Sequence, residues 1–159
     1  MEKKIITKNE KETFKLGKLL GAELKGGEVV ALIGELGSGK TVFTKGIARG
    51  IGIKDAEKLV NSPSFMLIKE YPAKINLFHF DLYRLDSVRQ IEQLGWEDYL
   101  GENGVLVIEW ADKMGSLLPE NSLFIELEVM DENKRKIKLT ARGEAHRELI
   151  WKLKNISFR

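Results

Sequence analysis

Residues 34–41 read GELGSGKT and fit the pattern G-x-x-x-x-G-K-[ST] through Gly34, Gly39, Lys40 and Thr41. Each fixed position suits phosphate binding. Glycine adopts backbone angles that a Cβ forbids, so the N–H groups of Glu35, Leu36, Gly37, Ser38, Gly39, Lys40 and Thr41 can turn inward around phosphate oxygens. A helix that begins where the loop ends points its positive end at the same anion. The Lys40 ammonium reaches the β- and γ-phosphates, and the Thr41 hydroxyl suits a Mg²⁺ ion. The reading requires a strand before the motif and a helix after it; VVALI precedes, and Thr41 to Ile51 has helical spacing through Phe43, Ile47 and Ile51. The segment is therefore expected to be a P-loop that binds a nucleoside triphosphate.

A P-loop also needs an acidic side chain at the end of a second core strand. VLVIE offers Glu109 as a second Mg²⁺ contact, where aspartate is commoner; the competing reading is a surface glutamate just past a strand. In HFDLYR an extended strand puts Leu77, His79 and Asp81 on one face and Phe78, Phe80 and Leu82 on the other. The phenylalanines are then expected in the core while His79 and Asp81 face a site. Asp81 suits orienting water or the Mg²⁺ shell, and His79 suits positioning it. A histidine–aspartate metal site is disfavoured, because the other histidine, His146, falls in an expected closing helix.

These side chains need elements to hold them. Asn9 and Glu12 have capping-box spacing before a helix whose apolar face is Phe14, Leu16, Leu19, Leu20 and Leu24, ended by Lys25-Gly26-Gly27. Val29 to Ile33 suits a buried parallel strand. Pro63 is expected to start an extended stretch, and Pro72-Ala73-Lys74 to turn it into INLFHFDLY as a hairpin. A short helix is expected from Asp86, a buried strand from Val105 to Trp110, a strand pair in SLFIELEV and KRKIKLTA, and a closing helix from Glu144 to Leu153. The expected fold is α/β: a three-layer P-loop NTPase domain with a mixed, partly antiparallel central sheet, occupying residues 1–159 as a single unit.

Composition bounds the rest. At 159 residues and 43% apolar content the chain suits one soluble domain. The longest apolar runs are far short of the roughly 20 residues of a membrane helix, and MEKKIITKNEKE has no apolar signal segment. Zero cysteines excludes disulfides and thiolate sites, which fits a cytoplasmic location. Net charge is +2, but residues 134–159 carry nine Lys/Arg against two Glu, a local +7. Such a tail suits a solvated surface, nucleic acid or an acidic protein face.

Two P-loop classes fit poorly. A small GTPase needs an N/T-K-x-D base-reading motif, and Ala111-Asp112-Lys113-Met114 has its lysine in the wrong frame. A small-molecule kinase needs an arginine-bearing lid, whereas the middle of the chain has only Arg49, Arg84 and Arg89 and no lid-sized insertion.

With GELGSGKT, NSPSF, HFDLYR and VLVIEWADK in this order, and Leu118-Pro119 beyond, the chain resembles the TsaE family, formerly YjeE, from about Glu10 to Pro119. Val42 stands where a second Thr often follows the motif, and Ser64 where the family usually has Thr. The resemblance implies an ATPase of bacterial tRNA threonylcarbamoyladenosine synthesis, cytoplasmic, slowly hydrolysing ATP with Mg²⁺ and acting with TsaB and TsaD. In that system TsaD transfers the threonylcarbamoyl group to an adenosine next to the tRNA anticodon. It further implies Thr41 and Glu109 as Mg²⁺ ligands, Lys40 on the phosphates and Asp81 as the residue most needed for hydrolysis. Glu10 falls where the family has a nucleotide-side contact, and Lys113 and Arg135 are candidates near the base or ribose. Asn61 to Phe65 would be a nucleotide-sensing loop in which Ser64 meets the γ-phosphate or Mg²⁺, the alternative being a turn without switching. The other functions left open are a small-molecule kinase and an ATP-binding adaptor with negligible turnover.

Overall fold

The computed structural model describes residues 1–63, 65–101 and 103–158. The chain runs β1 (Glu2–Thr7), α1 (Glu10–Glu23), β2 (Val29–Ile33), α2 (Lys40–Ile51), α3 (Ala56–Leu59), β3 (Ile68–Tyr71), β4 (Asn76–Asp81), α4 (Val88–Glu92), β5 (Gly104–Glu109), β6 (Leu123–Val129), β7 (Arg135–Ala141) and α5 (Glu144–Lys152). Short 3₁₀ segments at Trp96–Tyr99 and Ala111–Leu117 flank β5.

The strands of the described residues form one seven-stranded sheet in the order β1-β7-β6-β2-β5-β4-β3. The four central strands, β6, β2, β5 and β4, are parallel; β1, β7 and β3 are added antiparallel at the two sides. The continuous apolar runs of β2 and β5 are those of strands covered on both faces. On one face Val30, Leu32, Val105 and Val107 pack with Leu16, Leu20, Phe43 and Ile47 of α1 and α2 and with Leu149 and Ile150 of α5. On the other, Ala31, Phe78, Phe80 and Ile108 pack with Ile91, Trp96 and Met114. The three layers and the mixed sheet are those expected.

α1 and α2 are parallel neighbours that meet through glycine rather than through side chains. A Cβ on Gly46 would lie 2.2 Å from the Phe14 carbonyl oxygen, and one on Gly21 would lie 2.3 Å from that of Ile47. This seam alters the expected face of α1. Thr13, Gly17 and Gly21 join Leu16 and Leu20 as its buried residues, while Phe14 and Leu19 are only half-buried. The capping at Asn9 is as expected: its side chain accepts from the Glu12 N–H at 3.0 Å.

Several boundaries differ. β1 was not expected; its buried Ile5 and Thr7 alternate with exposed or half-buried neighbours, a short signal among lysines and glutamates. Pro63 does not start an extended stretch. The Leu67 N–H folds back to the Pro63 carbonyl at 2.6 Å, Leu67 has φ 66°, and strand pairing starts at Ile68. Ser87, not Asp86, caps α4, because its side chain accepts from the Gln90 N–H. Trp110 has φ 60° and leaves the strand that Glu109 ends. In the basic tail Lys134, Lys136, Lys138 and Lys152 form surface ion pairs with Asp131, Glu128, Glu126 and Glu23, in keeping with a solvated surface.

Candidate functional site

The parallel strands β2, β5 and β4 all end at one edge of the sheet, where open α/β sheets place their ligand sites. Glu109 is in register with Leu32 of β2 and with Asp81 of β4, so two carboxylates stand side by side beneath the loop that follows β2. That loop is tightly drawn. A Cβ on Gly34 would lie 2.6 Å from the Leu127 carbonyl oxygen, and Gly37 and Gly39 have φ of 78° and 103°. The Ser38 N–H closes a turn onto the Glu35 carbonyl at 3.0 Å. α2 then starts at Lys40 behind a glycine that has no side chain to cap it, so its first amides suit an external anion.

The Lys40 ammonium is buried. It donates to the carbonyls of Gly34 (2.5 Å) and Glu35 (2.8 Å) and lies 4.1 Å from the centroid of the Trp110 ring. Burial pulls its pKa below the ordinary 10.5, against the opposing pull of the Glu109, Asp81, Asp112 and Glu35 carboxylates. A buried cation held in this way gains from the arrival of a dense negative charge.

Below it, the Glu109 carboxylate is held at both oxygens. Oε1 accepts from the Thr41 hydroxyl at 2.8 Å, and Oε2 accepts from His79 Nε2 at 2.7 Å. His79 is fully buried, so it does not face the cleft as expected; it stands behind Glu109. Asp81 does line the cleft. Its Oδ1 accepts from the Tyr83 N–H at 2.9 Å, and its Oδ2 accepts from the Ser62 hydroxyl. Thr41, Glu109 and Asp81 thus present hard oxygen donors beside a phosphate cradle, the ligand chemistry that suits Mg²⁺.

The cleft has a volume of about 380 Å³, and Glu10, Leu36, Gly37, Gly39, Thr41 and Val42 contribute to one side of it. Glu35 takes part through its carbonyl, and Ser38 lies buried beneath the loop. Two further candidates are bonded to backbone carbonyls. Lys113 is not in the cleft wall: its ammonium is tied to the carbonyls of Tyr83 (2.6 Å) and Leu85 (3.0 Å). Arg135 donates to the carbonyls of Ser38 and Gly37 and lines a hollow with Glu10, Thr13, Gly39 and Val42. Ser64 lies outside the described residues.

Residues that sequence reasoning did not single out complete the wall: Ser62, Tyr83 and Trp110. Their signals were present within the quoted motifs NSPS, HFDLYR and VIEW. The Tyr83 and Trp110 rings lie 5.1 Å apart, and the left-handed backbone at Trp110 turns its indole back over Lys40.

A glycine cradle on a strand–helix junction, with a lysine inside it and carboxylates at the adjacent strand ends, defines a P-loop nucleotide-binding protein. The family model described as "Threonylcarbamoyl adenosine biosynthesis protein TsaE" matches residues 7–137, and the chain belongs to that family. The tRNA threonylcarbamoyladenosine biosynthesis protein TsaE of Bacillus subtilis is 40% identical over 148 residues, covering 92% of this chain and 90% of the relative. Its counterpart in Treponema pallidum is 36% identical over 132 residues, covering 83% and 96%. The crystal structure of Bacillus subtilis YdiB superposes with a TM-score of 0.82 at 35% identity, covering 97% of this chain and 95% of the other. Family and cradle together make this an ATP-binding P-loop protein. No helix of the described residues is long and apolar enough to cross a membrane.

Proposed function

We propose that this chain is a Mg²⁺-dependent ATPase of tRNA threonylcarbamoyladenosine biosynthesis, one P-loop domain over residues 1–159 that works in the cytoplasm with TsaB and TsaD. The observation that carries the reading is Glu109, held between the Thr41 hydroxyl and the His79 imidazole at the foot of the phosphate cradle. A carboxylate fixed at both oxygens beside the cradle's own hydroxyl is prepared to meet a metal–phosphate unit.

The amides of residues 35–41 bind the triphosphate, and Lys40 exchanges the Gly34 and Glu35 carbonyls for phosphate oxygens. Thr41 and Glu109 would hold Mg²⁺, which would supply charge neutralisation for the triphosphate. Asp81 orients a water against the γ-phosphorus; the water oxygen bonds to phosphorus as the bond to the bridging oxygen breaks, and the water gives up a proton to solvent, leaving ADP and inorganic phosphate. Catalysis is electrostatic, since Lys40 and the amides at the start of α2 stabilise charge spreading over the γ-phosphoryl oxygens. Glu10 and Val42 border the nucleotide at the start of α1 and α2. The output is a change of conformation or affinity felt by the partner proteins, which modify the tRNA.

The test is phosphate release by the purified chain with and without the TsaB–TsaD pair, together with complementation by Lys40→Ala. Turnover that rises with the pair, and tRNA modification lost in the variant, are expected. Normal modification by Lys40→Ala would sink the mechanism. Tight ATP binding with negligible turnover under all conditions would indicate an adaptor, and appearance of a phosphorylated metabolite a kinase.

A further inference from the structure

Arg135 opens β7, and its guanidinium grips the phosphate loop. Nε donates to the Ser38 carbonyl at 3.0 Å, and one terminal nitrogen donates to the Gly37 carbonyl at 3.1 Å. The other terminal nitrogen donates to the carbonyls of Asp131 (3.0 Å), Glu132 (3.3 Å) and Lys134 (3.0 Å) in the turn between β6 and β7. One planar fork therefore ties two backbone turns together.

A trans peptide sets the carbonyl of one residue and the N–H of the next on opposite sides. Fixing the Ser38 carbonyl toward Arg135 therefore turns the Gly39 N–H away from it. Gly37 and Gly39 flank Ser38 with φ of 78° and 103°, and glycine's wide conformational range makes the intervening peptide planes easy to flip. The loop sequence permits the phosphate-binding orientation but does not enforce it; the fork of Arg135 does.

We propose that Arg135 is a positioning residue that holds the amides of the phosphate loop in their binding orientation. The inference rests on the ATP-binding reading above. Lysine cannot replace it, because a single ammonium does not span the Ser38 and Gly37 carbonyls and the β6–β7 turn in a rigid plane.

The ligand that separates the two roles is a polyphosphate with no nucleoside. Mg²⁺–ADP and Mg²⁺–tripolyphosphate are titrated calorimetrically into the wild type, Arg135→Lys and Arg135→Met, with thermal unfolding as the check on folding. Both variants should lose affinity roughly tenfold or more, by the same factor for the two ligands. Arg135→Lys should lose it despite keeping the charge. Amide exchange at Ser38 and Gly39 should also quicken in both variants. A loss confined to ADP assigns Arg135 to the base or ribose and overturns the inference, as does full affinity in Arg135→Lys. Should Arg135→Met not fold, Arg135→Lys carries the same comparison. A wild type that binds neither ligand defeats the ATP-binding reading, and this inference with it.

Discussion

Thr41 and Glu109 stand 68 positions apart in sequence, and the hydroxyl of the first donates to the carboxylate of the second at 2.8 Å. Contact between two groups that would hold one ion makes their contributions interdependent. Thr41→Val and Glu109→Gln should each weaken Mg²⁺-dependent ATP binding, and the double variant should lose less than the sum of the singles. A coupling of about 0.5–3 kcal/mol is expected in a double-mutant cycle. Additive losses in a Mg²⁺ titration would mean that the two side chains act separately.

His79 holds the other oxygen of Glu109 from a fully buried position. Replacing it by leucine strands a buried carboxylate oxygen, at a cost of about 2–3 kcal/mol. Gln keeps a donor at the corresponding reach, so His79→Gln should recover more than half of that loss. Urea denaturation at constant m-value reads the difference, and equal stability of the Leu and Gln variants would dismiss the hydrogen bond as the cause.

Gly46→Ala poses two opposed effects. Alanine gains about 1 kcal/mol in helix propensity, yet the added methyl would lie 2.2 Å from the Phe14 carbonyl and 2.9 Å from the Gly17 Cα. Backbone atoms cannot swing aside as side-chain ends do, so the clash wins. A net destabilisation of at least about 1 kcal/mol is expected, and a rise in unfolding midpoint would refute the close seam.

Lys40 has a folded-state pKa below its ordinary 10.5, chiefly because it is buried. The unfolded chain then binds more protons than the folded one between the lowered value and 10.5, so stability rises with pH through that window. The stability of Lys40→Met measured against wild type should therefore fall as pH rises toward 10.5. Parallel urea titrations at neutral and alkaline pH test this; a relative stability that rises with pH would reverse the sign.

The parts legible in the sequence were those in which local pattern and chemistry agree. VVALI, the glycine loop and the helix after it carry strand, turn and helix signals in unbroken order, and they fold as Val29–Ile33 and Lys40–Ile51 around the cradle. Period-2 alternation could put Asp81 on a strand face and the apolar run VLVIE could put Glu109 at a strand end, and their registry as partners followed only from the sheet. Elsewhere tertiary context decided. A proline reads as extended backbone, but Pro63 accepts from Leu67 and closes a turn, which brings Ser62 to Asp81. β1 is pinned at an edge by pairing with β7, a partner more than a hundred residues away. An arginine near the end of the chain reads as a solvated or nucleotide-facing charge, and no local pattern reveals that Arg135 faces backbone carbonyls of a loop at residues 37–38.

The glycine contacts between α1 and α2 bear on how events at the cradle travel. Both helices begin at the cleft, with Glu10 on one and Thr41 on the other, and α1 ends where Glu23 is bonded to Lys152 of α5. Interfaces cushioned by long side chains absorb small displacements by changing rotamers. A seam of backbone against backbone has no such slack, so the pair moves as one stiff lever. A shift of the Thr41 end would then carry α1 with it, and with α1 the Glu23 end that meets α5.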